Sequence, residues 1–305
     1  VPAVRLLQQY GILPFKEKLI KAGITTLHFS PDHYGLPLVL GGAEVKLWDI
    51  CGAYASMGRV LGHAYSYDHQ YSKADVHPPV LFEQGARSKE QGARSKEQGA
   101  KGKEQGEEKV ELVGDAPVWD VGAIWLTFEA MKTLRRPDQE GQWETFHSSR
   151  QVAWKTGTSF GYRDAWAVGV TPKYTISVWV GNADGEGRPG VIGLHAAAPI
   201  MFDVLRMLDD DGTWWSPPYD ALSPRLVCAE SGWMATSSCL QTDTTYLVKS
   251  GQTPASCKYH TQVYTDAMHQ YQFNPSCMPA DAILTNFFVI PTLAETYYKR
   301  YNPSY

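Results

Sequence analysis

An α+β fold, with helices covering an antiparallel sheet, is predicted by three features of the 305-residue sequence: two amphipathic helical patterns, three β-type runs on short links, and a further apolar helix directly after them. In the first region, up to about residue 71, Leu47, Ile50, Cys51, Tyr54 and Leu61 share one face behind the breaker pair Gly41-Gly42. Val121, Ile124, Trp125, Phe128 and Met131 form a second amphipathic helix, and Pro137 closes that segment. The runs 151–158, 164–170 and 175–182 read as strands, and the links 159–163 and 171–174 are so short that the runs must pair as antiparallel neighbours. The stretch 195–208, with Ile200, Val204, Leu205 and Leu208, then supplies a helix to cover one face of the sheet.

Composition narrows the function classes. A net charge of -4 and a pI near 6.1 create no basic field, so a nucleic-acid partner is not expected. No run of about 18 apolar residues occurs, so a membrane span is not expected within the chain. The opening Val1-Pro2-Ala3-Val4 has neither an initiating Met nor the charged and apolar regions of a signal peptide, as expected of a chain that starts inside a larger protein.

Four parts are expected along the chain: a helical part at 1–82, a low-complexity insertion at 83–109, a part at 110–216 carrying the strands and final helix, and a Cys-bearing module at 217–305. The insertion repeats EQGARSK and its variants. It lacks aromatic and β-branched residues, so it cannot bury enough apolar surface to offset its ordering entropy and is expected to be disordered. In the last module Cys228, Cys239, Cys257 and Cys277 are an even number of cysteines with no C-x-x-C pair to suggest zinc, which points to disulfides in an oxidising compartment. Three pairings are open. Cys228 with Cys239 and Cys257 with Cys277 is preferred, because short loops close at least entropic cost. No cofactor and no metal are expected.

The sharpest chemical signal is Lys155-Thr156-Gly157-Thr158-Ser159, at the end of the first β-run. A strand edge can pair with an extended peptide, and Gly157 allows its close approach. The hydroxyls of Thr156 and Thr158 can hold a carboxylate, while Lys155 adds a cation that favours anions and tunes a neighbouring proton network. Other polar groups read as structural. Arg163 and Asp164, close to Trp166, are expected to form an ion pair. Asp209-Asp210-Asp211 lacks the alternating ligand spacing of a calcium loop and reads as a solvated helix end. His195, His260 and His269 are isolated and are assigned no chemistry.

K-T-G is a signature of penicillin-binding proteins and class A β-lactamases. The string KTGTSFGYRDAWAVG, with WVGNADG and AAPIMFDVL after it, resembles the central strands and final helix of the class A (bifunctional) penicillin-binding proteins. LVLGGAEVKLWDICGAYASMG resembles their segment after the S-x-N motif, and VPAVRLLQQYG resembles the residues immediately C-terminal to that motif. GAIWLTFEAMKTLRRPD and the tail with VCAESGWMATSSC and CKYHTQVYTD look most like the penicillin-binding protein 1C subfamily. The resemblance implies the C-terminal half of a penicillin-binding/β-lactamase-like transpeptidase domain plus a small Cys-bearing extension. It further implies serine acyl transfer on peptidoglycan stem peptides, reactivity toward β-lactam antibiotics, and a place on the periplasmic side of the inner membrane through an N-terminal anchor outside this chain. A glycosyltransferase domain would accompany it in the whole protein.

No serine here is followed three positions later by lysine, and Ser-x-Asn does not occur. Only Lys155 and Thr158, as catalytic positions, and Thr156, Gly157 and Thr158, as substrate-binding positions, carry over from the resemblance. In it, the backbone N–H of Thr158 is one of two oxyanion donors. The chain alone is expected to be inactive. The alternatives are a non-catalytic penicillin-binding-like interaction module and a relative of the D,D-carboxypeptidases or β-lactamases.

Overall fold

A computed structural model describes residues 2–66, 71–80, 112–113, 118–134 and 150–302; the expected insertion at 83–109 lies outside them. The chain divides into two compact units, Val1–Pro218 and Tyr219–Tyr305. In the first, helices α1 (Pro2–Tyr10), α2 (Ile12–Lys21), α3 (Pro31–Tyr34) and α4 (Leu47–Ser66) precede a short pair, β1 (Tyr71–Ser72) and β2 (Leu112–Val113). Then come α5 (Val121–Lys132), strands β3 (Ala153–Thr158), β4 (Asp164–Val170) and β5 (Thr175–Gly181), and α6 (Ala198–Met207). Among the described residues no helix is long and apolar enough to cross a membrane.

The three strands form one antiparallel sheet in the order β3-β4-β5, as the short links require. Alternation gives the sheet two different faces. On one, Trp154, Ala165 and Ala167 pack with Ile176, Val178 and Val180 against Ala198, Met201, Phe202 and Leu205 of α6. Small residues on β4 let the helix come close, and a Cβ at Gly169 would stand 2.9 Å from the Met201 sulfur. The Trp154 and Phe202 rings meet edge to face at 5.1 Å.

The α5 face is buried at Val121, Ile124, Phe128 and Met131, and Asp120 starts the helix by accepting the N–H groups of Gly122 and Ala123. On α6, however, the buried set is Ala198, Met201, Phe202 and Leu205, while Ile200 and Val204 point outward. The helix starts only at Ala198, after a wide turn over Gly193–Ala197, and this start sets its rotation. On α4 the buried stripe is Asp49, Gly52, Ala53, Ser56, Val60, Leu61 and Ala64; of the expected face Leu61 is buried, while Leu47, Ile50, Cys51 and Tyr54 are half-buried. Small residues admit neighbours there: a Cβ on Gly52 would meet Pro79 Cδ at 2.6 Å. Buried Asp49 accepts the N–H and hydroxyl of Thr25, so its charge is hydrogen-bonded.

The second unit contains the antiparallel pair β6 (Leu222–Cys228) and β7 (Thr242–Val248). It also holds a small sheet of β8 (His260–Thr265), β9 (Gln272–Phe273) and β10 (Ile283–Phe288), in the order β10-β8-β9. Helix α7 (Thr292–Tyr301) comes next. Its strands are mostly half-exposed, and few apolar side chains are buried, among them Leu222 and Val227.

Candidate active site

Strand β3 has β4 on one side only, so its other edge is open among the described residues. The N–H of Ser159 donates to the Asp164 carbonyl at 3.0 Å. Antiparallel ladders alternate, so Gly157 and Lys155, opposite Trp166 and Val168, bond inward, and the N–H groups of Thr156 and Thr158 turn toward the open edge.

Lys155, Thr156, Gly157 and Thr158 all line one cavity of about 540 Å³, with Asp164 and Trp166 from β4, the loop 40–45, and Ile50 and Tyr54 of α4. Ile50 and Tyr54, half-buried on the larger apolar face of α4, are here part of the cavity wall. Burial raises the Tyr54 phenol pKa, which keeps it neutral. Lys155 is exposed, and its ammonium donates to the Thr156 carbonyl at 2.6 Å. The Thr158 hydroxyl accepts the N–H of Gly193 at 3.0 Å, which leaves its own hydrogen as a donor. Gly193 must be glycine for this approach: a Cβ there would stand 2.4 Å from the Gly157 carbonyl oxygen. By contrast a Cβ at Gly157 would meet only Trp166, at 3.5 Å, so the protein's own packing does not demand glycine at that position.

The remaining polar groups named from the sequence have structural partners. Asp164 accepts the indole N–H of Trp179 at 2.9 Å, so its partner is a ring and not Arg163. Asp210 accepts the N–H of Gly212, and Asp211 binds Thr213 and pairs with Lys173 at 3.1 Å, which fixes the turn after α6. His195 sits in the turn before α6 and is not among the residues that line the cavity.

The cysteines differ from expectation. All five are free thiols, so the pairings Cys228 with Cys239 and Cys257 with Cys277 are not formed. Cys277 is exposed, on the short turn Pro275–Cys277. Cys228, Cys239 and Cys257 instead converge with His260, their ligand atoms all within 4.8 Å of one another. The His260 Nδ1 lies 3.7 Å from the Cys228 sulfur and 3.5 Å from that of Cys257. Burial pushes the Cys257 thiol up, but hydrogen bonds from His260, Ser231 and the Tyr259 backbone outweigh it and hold the group at about 6. C-x-x-C is missing from the sequence, but another metal-ligand spacing, C-x-x-H at Cys257-Lys258-Tyr259-His260, is present and was the signal to read.

Fold and sequence similarity together make the chain a relative of the class A penicillin-binding proteins. It is 29% identical over 208 residues to penicillin-binding protein 1C of Escherichia coli (strain K12), a match covering 68% of this chain and 22% of that protein. The crystal structure of penicillin-binding protein 1A from Haemophilus influenzae superposes with a TM-score of 0.52 at 16% identity, over 83% of this chain and 39% of that one. No protein-family model matches the sequence.

Proposed function

We propose that Lys155, Thr156, Gly157 and Thr158 are the substrate-binding wall of a serine D,D-transpeptidase that cross-links peptidoglycan. The observation that carries this reading is the K-T-G-T run on an open strand edge, lining a cavity, in a relative of the class A penicillin-binding proteins. A stem peptide ending in D-Ala-D-Ala adds as a strand along β3. Its carboxylate takes hydrogen bonds from the Thr156 and Thr158 hydroxyls and the field of Lys155. The serine is supplied from outside these 305 residues, because S-x-x-K and S-x-N do not occur in them.

The serine oxygen bonds to the penultimate D-Ala carbonyl carbon as its proton passes to a base. The edge N–H of Thr158 stabilises the oxyanion. The C–N bond then breaks, and terminal D-Ala leaves with the proton. An acceptor amine attacks the resulting ester, forms the new amide and returns a proton to the serine. β-Lactams acylate the same serine. Because the cross-linked wall lies outside the cytoplasmic membrane, the site works in the cell envelope, facing the periplasm. Glycan polymerisation belongs to another part of the whole protein.

The test is labelling by fluorescent penicillin. The full gene product should form one adduct, mapped by peptide mass to a serine outside the 305 residues, while the 305-residue chain alone should form none. An adduct on a serine within the isolated chain, or none on the full gene product, contradicts the proposal.

A further inference from the structure

We propose that Cys228, Cys239, Cys257 and His260 form a Cys3His site that binds one zinc ion and holds the unit Tyr219–Tyr305 together. The four ligand atoms converge from separate segments. Cys228 ends β6, Cys239 lies in the turn before β7, and Cys257 and His260 lead into β8. With Zn–S near 2.3 Å and Zn–N near 2.0–2.1 Å, a tetrahedral site needs an S···N edge of about 3.6 Å. The two S···N edges to His260, 3.7 and 3.5 Å, bracket that value.

The surroundings of the four groups are those of metal ligands. The His260 side chain is fully buried, and its Nε2 meets Glu230 Oε2 at 2.7 Å. A carboxylate there fixes the tautomer with hydrogen on Nε2, so that Nδ1 turns its lone pair toward the thiols. The sulfurs are prepared as acceptors: the Thr236 N–H points at Cys239 at 3.4 Å, and the Ser231 hydroxyl at Cys257 at 3.2 Å. Backbone hydrogen bonds fix the ligand loops, with Cys228 N–H on the Trp233 carbonyl at 2.7 Å and Cys257 N–H on the Met234 carbonyl at 2.8 Å.

Three soft sulfurs and one imidazole in a closed tetrahedron select zinc, and four protein ligands leave no position for substrate, so the role is structural. Zinc enters as a dication, three thiols lose three protons to solvent, and His260 stays neutral, so the centre carries a net charge of about -1. No oxidant is needed, whereas each disulfide would require one. A unit with few buried apolar side chains gains most from such a staple.

The test uses the full 305-residue chain, purified under reducing conditions. Elemental analysis should find about one zinc per chain, and cobalt put in its place should give the strong visible bands of a tetrahedral thiolate site. Cys239→Ser should weaken or abolish these bands. Cys277→Ser and Cys51→Ser should leave both metal content and spectrum unchanged. Glu230→Gln should keep the spectrum but weaken affinity by about 10- to 100-fold, as expected of a group that only orients a ligand. If Cys239→Ser does not fold, the wild-type cobalt spectrum and the Glu230→Gln affinity decide the matter. Reduced wild type with neither zinc nor cobalt bands, loss of metal in Cys277→Ser, or a disulfide joining any two of Cys228, Cys239 and Cys257 in zinc-supplied protein would overturn the proposal.

Discussion

The two units of the chain are stabilised by different means. Val1–Pro218 buries large side chains on both faces of its sheet and along α5, with Phe128, Ile124, Leu61 and Met201 essentially sealed from solvent. Tyr219–Tyr305 has two small sheets, and its most deeply buried groups include Cys228, Cys257 and His260. Hydrophobic burial, worth about 25 cal/mol per Å², is the main means in the first unit. In the second, the proposed zinc site adds to two β-ladders a cluster of four ligand atoms drawn from separate segments. Core substitutions should therefore be felt in one unit and metal removal in the other.

The largest expected effect is on the second unit. Stripping zinc with a chelator should reduce amide protection in β6, β7 and β8 toward unfolded levels, because structural zinc supplies folding free energy outright. Peptides from α4 and α5 should keep their protection, as hydrogen exchange with mass spectrometry can record. Equal loss in both units would erase the distinction. Next in size is Phe128→Ala, which removes a fully buried ring tilted against Trp215, centroids 5.6 Å apart. It should cost the first unit about 3–5 kcal/mol, read from the denaturant midpoint of α5. The cobalt spectrum of the second unit should not change.

Smaller still is Asp120→Ala. Loss of the two backbone hydrogen bonds that start α5 should cost about 1 kcal/mol, seen as a midpoint shift without a change of slope. The smallest effect concerns Asp211, held at about 2 by the Thr213 hydroxyl and N–H and then by Lys173. Its depressed value means that any stabilisation is present above its ordinary 3.8 and lost as pH falls toward 2. Because the ion pair is exposed to solvent, Lys173→Ala should raise the carboxyl titration midpoint measured by NMR and leave the unfolding midpoint unchanged. A large stability loss would mean that this turn is part of the core.

Legibility in the sequence divides along similar lines. Helix α5 is readable because apolar periodicity and burial coincide at Val121, Ile124, Phe128 and Met131, and strands β3 to β5 because short links join three β-type runs. On α4 periodicity and burial part in the first half of the helix: its buried residues there are Gly52, Ala53, Ser56 and a hydrogen-bonded Asp49, with Val60, Leu61 and Ala64 buried further along, while Ile50 and Tyr54 line the cavity. On α6 the periodicity is clear but the phase is not, because the turn at Gly193–Ala197 delays the helix start. The Lys155–Thr158 run is visible as a contiguous string. The Cys3His cluster is not, since its ligands span from 228 to 260 and only Cys257 and His260 stand close enough in sequence to announce it. Counting cysteines in pairs also draws in Cys277, which lies outside the cluster.

The most direct test of the proposed site is the second-order rate of penicillin acylation of the full gene product carrying Lys155→Ala, with Lys173→Ala as the control and circular dichroism to verify folding. Lys155 is the cation on the cavity wall, whereas Lys173 belongs to the turn held by Asp211. Loss of such a fixed charge is worth roughly 3 kcal/mol, or about a hundredfold in rate. Thr158→Val, which keeps the backbone N–H but loses the hydroxyl donor, should fall between the two. If Lys155 does what is proposed, Lys155→Ala is slowed by about two orders of magnitude while Lys173→Ala matches wild type; equal rates for wild type and Lys155→Ala would contradict it.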